Sequence, residues 1–284
     1  MPLRTPIRGD PMAPSEVIPG GGPGVLRLLE VLAYSSGLAG AIAAGLTLIA
    51  ARAFEASDPW LLAWLALSGT FVVYNLDRLR DIEADRLTSP LRTAFVERNR
   101  DRLALAVGLA GILLGVALLA TPRPVVVLLG TIGTVGLFHR RLKGFTRLKA
   151  TYVSLAWVAV CVGMPWLTSS RDVTAGAWTA GILFPTLAAN LVASDLGDGD
   201  GGGNGPDGAG TLRRSRTALR IARGLSLIAI LLALGAPSGL RPLLWVPLAE
   251  GLALTTFRPD ERYRDLVLDG AILLGALASR IQLG

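Results

Sequence analysis

Apolar runs recur from residue 28 to residue 282, and no polar interval between them is long enough to fold as a domain of its own. That recurrence restricts the fold more than any motif does. Hydrophobic residues make up 51% of the 284 and charged ones 17%, with a mean hydropathy of +0.52, which is the balance of a polytopic membrane protein. The expected architecture is an all-α membrane protein, a bundle of nine transmembrane helices at 28–51, 58–76, 103–120, 124–139, 150–168, 174–194, 217–235, 240–257 and 265–282. Several of these cores are shorter than the roughly 20 residues a span usually needs. The fourth is set off from the third by Pro122 and Pro124.

The basic residues give an independent reading of topology. Of 28 Lys and Arg, only Arg52, Arg123, Arg171, Arg241 and Arg280 fall on one set of alternate connections, and all the others fall on the opposite set or in the N-terminal segment. By the positive-inside rule the N-terminus is then cytoplasmic and, after nine spans, the C-terminus is outside. Trp60, Trp64, Trp166, Trp178 and Trp245 fall near the expected outer boundary as an aromatic belt, and Trp157 alone sits mid-helix. The sequence pI of about 10.4 thus reflects topology and attraction to anionic headgroups, and no nucleic-acid-binding face is expected. The expected location is a multi-pass protein of the lipid bilayer, the plasma (inner) membrane if the source is bacterial.

Residues 1–24, rich in Pro and Gly, lack the layout of a cleaved signal peptide and read as a disordered cytoplasmic tail. Residues 25–284 read as one nine-helix membrane domain. Cys161 stands alone, which excludes an intrachain disulfide and a cysteine-based metal site. Glycines at close spacing, Gly108, Gly111 and Gly115, then Gly130, Gly133 and Gly136, suit tight helix packing in lipid. His139 has no ligand partner at metal-binding spacing and reads as structural.

Two acidic segments stand out, both after apolar runs and both on the expected cytoplasmic side. The first is Asp77-Arg-Leu-Arg-Asp81-Ile-Glu-Ala-Asp85. At about 3.6 residues per turn its three Asp share one side of a helix, where like charges repel. A divalent metal carrying a phosphorylated substrate would offset that repulsion, and Arg78, Arg80 and Arg86 at a solvated helix end would do so too. The second runs Asn190-Leu-Val-Ala-Ser194-Asp195-Leu-Gly-Asp198 and leads into a glycine-rich stretch over 199–210. That stretch has no P-loop Lys and follows no strand, so it reads as a flexible loop. A basic segment, Arg141, Lys143, Arg147 and Lys149, precedes the fifth apolar run. Three further acids fall inside expected spans. Glu30 is next to Arg27, while Glu250 and Asp269 lie deep enough that both should face the bundle interior and find partners.

The order and placement of these motifs resemble the UbiA superfamily of intramembrane prenyltransferases, from about residue 25 onward. The family's first motif usually runs Asn, then Asp at +4 and +8, then a basic stretch before Arg-Pro-Leu. The matching segment here is Asp77, Asp81 and Asp85, continuing to Ser89-Pro90-Leu91-Arg92, so Asp77 stands where Asn is usual. Lys149, Tyr152 and Leu155-Ala-Trp157 are similar to the family's entry into the fifth helix, and Asp195-x-x-Asp198 to the start of its second motif. The resemblance implies a transferase that moves a prenyl group from a prenyl diphosphate to a membrane-soluble acceptor. It implies Mg²⁺ held by Asp77, Asp81, Asp85, Asp195 and Asp198 as metal and catalytic residues, and diphosphate contacts from Arg92, Arg141, Lys143 and Lys149. The alternative is a non-catalytic relative that binds or transports an isoprenoid lipid. A CDP-alcohol phosphotransferase is a weaker match, because Asp198-Gly-Asp-Gly lacks that family's Ala-Arg.

Overall fold

The computed structural model describes residues 24–137, 149–170, 172–196 and 208–283. Every regular element among them is helical. In chain order they are α1 (Gly24–Tyr34), α2 (Gly37–Ala53), α3 (Pro59–Arg80), α4 (Ile82–Thr88), α5 (Pro90–Arg98), α6 (Arg100–Leu119), α7 (Arg123–Leu137), α8 (Lys149–Leu167), α9 (Val173–Ser194), α10 (Gly208–Gly235), α11 (Trp245–Thr255) and α12 (Asp269–Gln282). A 3₁₀ turn, Ser238–Leu244, leads into α11, and a π turn, Tyr263–Leu268, leads into α12. A second π turn, Ala159–Gly163, widens α8 midway.

Helices fall on all nine apolar segments, but their lengths differ. Among the described residues, five are long and apolar enough to cross a membrane, and a sixth counts if α1 and α2 are taken together despite an 80° bend between them. Of the rest, α7 has 15 residues and α11 only 11. Pro242 contributes to the break before α11, because it has no N–H to continue an α-helical ladder. The bend between α1 and α2 sits at Ser36, whose φ of 60° lies in the left-handed region that a β-carbon disfavours.

The core is built on α2 and α9, which bury the most residues, including Leu46, Ile49, Ile182 and Leu183. The chain packs α3 against α2, α10 against α9, α11 against α10, and α12 against both α11 and α2, so that the last helix closes on the first long one. In contrast, α6 buries only Leu103 and Val107 and presents Leu105, Leu109, Ile112, Val116 and Leu119 outward. Such an outer surface suits lipid rather than water.

The glycine expectation needs correction. A β-carbon placed on Gly108, Gly111, Gly115, Gly130 or Gly133 would meet nothing within 4 Å, so these residues bring no helices together here. The close approach is elsewhere. A β-carbon on Gly275 would lie 2.6 Å from the Trp245 carbonyl oxygen, and α11 and α12 cross at that point.

Candidate functional site

The expected tail lies outside the described residues except for Gly24, where α1 begins. Asp198, Arg141, Lys143 and His139 also lie outside them, as does the glycine-rich stretch up to residue 207. Its last residues, from Gly208, belong to α10. The other candidates gather at one end of the bundle, where α3, α9 and α11 finish and α12 begins.

This end is assembled around the bend between α1 and α2. Breaking a helix leaves carbonyls without their i+4 amides. Here α3 supplies the missing donors. Asn75 Nδ2 donates to the Ser35 carbonyl (2.9 Å), and Arg78 Nη1 donates to those of Tyr34 (2.7 Å) and Ala33 (3.2 Å). The guanidinium of Arg78 is thereby fixed inside the polar end instead of neutralising the acids from solvent.

The first acidic segment is not one continuous helix face. The i-to-i+4 amide bonds run on from Asp77 to Asp81, Asp85 and Ser89 at 2.8–3.0 Å. The dihedrals depart from helix at Asp81 (φ −107°, ψ 18°) and Ser89 (φ −143°, ψ 66°), so α3, α4 and α5 follow one another with changes of direction. The three Asp are consequently unequal. Asp77 is exposed, Asp81 is 7% exposed and Asp85 is half-buried. Among the described residues, no three Asp, Glu, His or Cys side chains come together as a metal cage.

Asp85 faces Arg92 instead. Arg92 Nη2 lies 3.9 Å from Asp85 Oδ2 and donates to Ser89 Oγ at 2.8 Å, while Nη1 lies 3.8 Å from Asp265 Oδ1. Arg92 Nε and Asp265 Oδ2 are both buried without a hydrogen-bond partner. A shallow recess too small to admit a water is lined by Arg78, Ile82, Asp85, Arg92, Thr93 and Val96, which brings the two arginines together beside Asp85. The backbone beneath Arg92 is also held from afar. Glu261 accepts the Leu91 amide (2.9 Å) and the Arg92 amide (2.7 Å), capping α5. Burial pushes the Glu261 carboxyl above its ordinary value of 4.5, and the two amides pull it back.

The second acidic segment meets the first through Arg264. This 5%-exposed side chain donates from Nη1 to the Ser194 carbonyl (2.8 Å) and from Nη2 to the Thr88 carbonyl (3.4 Å). Asp195, expected as a metal ligand, is paired with Lys149, expected as a diphosphate donor, at 2.6 Å. Deeper in, Asn190 Nδ2 donates to Asp269 Oδ1 (3.3 Å), and Glu250 is fully buried with neither carboxylate oxygen partnered. Glu30 pairs with Arg262 at 3.2 Å rather than with its neighbour Arg27.

Sequence reasoning did not single out Glu261, Arg264 or Asp265. It took Arg262 and Arg264 only as positive-inside charges and Arg78 only as a counter-charge. The run Asp260-Glu-Arg-Tyr-Arg-Asp265, directly before the last apolar segment, is as dense in charge as the first acidic motif and was the available signal.

As for Mg²⁺, the donor chemistry fits. Asp85 and Asp265 present carboxylate oxygens on either side of the Arg92 guanidinium, and Asp265 has an orphaned buried oxygen. With few protein ligands, such an ion would draw the rest of its coordination from water and phosphate oxygens. In comparisons with known proteins, no protein-family model, no curated protein and no solved structure matches this chain.

Proposed function

We propose that the chain is a UbiA-like intramembrane prenyltransferase, using Mg²⁺ to move a prenyl group from a prenyl diphosphate to a membrane-soluble acceptor. The observation that carries this reading is Arg92, whose guanidinium lies 3.9 Å from Asp85 and 3.8 Å from Asp265 and whose buried Nε has a donor left to give. A diphosphate suits that arrangement, since guanidinium forks match phosphate oxygens. The acids beside Arg92, Asp85 and Asp265, suit Mg²⁺, whose chemistry when bound is to neutralise charge on the leaving phosphate. The chain's own residues do the rest: Arg92 and Arg78 hold the anion, Glu261 fixes the backbone under Arg92, and Arg264 ties the two acidic segments. The apolar interior around α2 and α9 takes the hydrocarbon tail and keeps water from the reacting carbon. In this reading all nine apolar segments cross or enter the bilayer, the polar end and the N-terminus are cytoplasmic, and the C-terminus is outside.

The test is release of diphosphate from geranylgeranyl diphosphate by purified protein in lipid nanodiscs, with and without Mg²⁺ and a membrane extract. Asp85→Ala is expected to abolish Mg²⁺-dependent release. Arg92→Ala is expected to weaken binding about ten- to a hundredfold, the equivalent of losing one charged hydrogen bond worth about 1.5–3 kcal/mol. Full activity in both variants would remove this end of the bundle from the chemistry.

The Lys149–Asp195 pair favours a second reading, a non-catalytic isoprenoid-lipid binder or transporter, because it occupies the acid expected to hold metal. Tight Mg²⁺-dependent binding of the same diphosphate with no turnover in any membrane extract is the outcome that would select it.

A further inference from the structure

Helix α1 does not continue the line of α2. The 17 residues of α2 span about 25 Å at 1.5 Å per residue, close to the roughly 30 Å of a hydrocarbon core, so α2 needs little from α1 to cross. The 80° bend then carries α1 sideways. Its two edges differ in kind. Arg27, Glu30 and Tyr34 recur at i, i+3 and i+7, and this edge is tied to the protein: Glu30 to Arg262 at 3.2 Å, and Tyr34 to the Phe95 ring at 6.0 Å between centroids. The other edge, Val25, Leu28 and Leu32, is exposed, Leu28 to 59%, with Leu29 beside it exposed as well. An 11-residue helix with a polar edge engaged and an apolar edge open is the pattern of a helix lying in a membrane interface.

We propose that α1 is an in-plane interfacial helix whose partner is the lipid bilayer itself, with Val25, Leu28 and Leu32 seated at the level where acyl chains begin. The occupant follows from composition. The apolar edge of α1 belongs to a chain with five helices long and apolar enough to cross a membrane, and Arg27 stands exposed on the same short helix to meet headgroups. The carbonyls of Ala33 and Tyr34, which end α1, accept from Arg78. Seating α1 in the interface therefore positions the two carbonyls that hold the Arg78 guanidinium. This orientation does not depend on prenyl transfer.

Nitroxide labels at Val25, Leu28, Leu29 and Leu32 test it, in the full chain with Cys161→Ser as background, reconstituted in vesicles of phosphatidylcholine and phosphatidylglycerol. Collision with oxygen and with a water-soluble nickel chelate gives the depth of each label. Labels at Leu105, Ile112 and Leu119, exposed along α6, provide the ruler for a crossing helix. Because all these positions are exposed, labelling leaves the core intact, and Cys161→Ala replaces Cys161→Ser if the serine background fails to fold. The expected result is one shared depth for residues 25, 28 and 32 while the α6 labels step through the bilayer. Depth rising along α1 by about 1.5 Å per residue, as for an upright helix, would overturn the proposal. Equal access of all four labels to the water-soluble chelate would overturn it as well.

Discussion

Glu250 is the residue whose surroundings least match its chemistry. Its place within an apolar run made burial legible, and with it the expectation of partners. What was not legible is that its neighbour Asn190 is spent on Asp269, because which donor an amide commits to depends on helix rotation rather than on spacing. Both Glu250 oxygens lack hydrogen-bond partners, so Glu250→Leu keeps similar bulk and removes two unpartnered buried polar atoms. That substitution is expected to raise stability by about 1–3 kcal/mol, read as a higher unfolding midpoint in detergent. A lower midpoint would mean that the carboxyl is matched by something bound. Lys149 gives the opposite lesson. Its position before the fifth apolar run suggested a phosphate donor, yet a carboxylate 46 residues away holds it at 2.6 Å. Lys149→Ala is therefore expected to change diphosphate affinity far less than Arg92→Ala, by under about tenfold if its half-exposed pair is worth about 1 kcal/mol. Equal losses in the two variants would return Lys149 to the site.

At the level of elements, most helix positions followed from the apolar runs, and most of their ends and bends did not. Asp77, Asp81 and Asp85 have perfect helical spacing, and nothing in nine residues announces that the dihedrals break at Asp81. The changes of direction at Asp81 and Ser89 precede the α5 amides that meet Glu261, a residue 170 positions from Leu91. Removing that acceptor by Glu261→Ala is expected to cost about 1 kcal/mol, as loss of a helix cap does. Glu261→Gln separates the cap from the charge. Burial raises the Glu261 carboxyl in the folded state, so the folded chain holds its proton more tightly than the unfolded one. Stability from that source is complete below about pH 4.5 and is lost as the pH rises through the folded value. The wild type should therefore lose midpoint relative to Glu261→Gln as the pH rises above about 4.5, and a constant gap would contradict the sign. Glycines make a second contrast between elements. Gly275→Ala forces a carbon against the backbone of α11 and is expected to cost about 1–3 kcal/mol. Gly108→Ala meets open space and should gain up to about 1 kcal/mol from helix propensity. Thermal unfolding of the two variants in parallel tests whether the sequence spacing or the crossing of α11 and α12 marks the tight contact.

For the whole molecule, composition was enough for an all-helical membrane bundle, and the basic residues were enough to place both acidic segments at the same end. How those segments meet was hidden, since the link, Arg264, looked like one more charge beside a membrane span. Its donation to Ser194 and Thr88 joins positions 70 and 176 residues away. Within five residues of it lie the cap on α5, the partner of Glu30 and the carboxylate beside Arg92. All of these contacts come from residues 261–265, which follow α3, α5 and α9 in the sequence. The order of synthesis therefore matters. As the ribosome works from the N-terminus, α3, α5 and α9 are made and delivered to the membrane while Leu91, Arg92, Ser194 and Thr88 still await their partners. The polar end is finished by residues 261–265, which are synthesised well after α9, so its earlier parts stay incomplete until most of the bundle has been made.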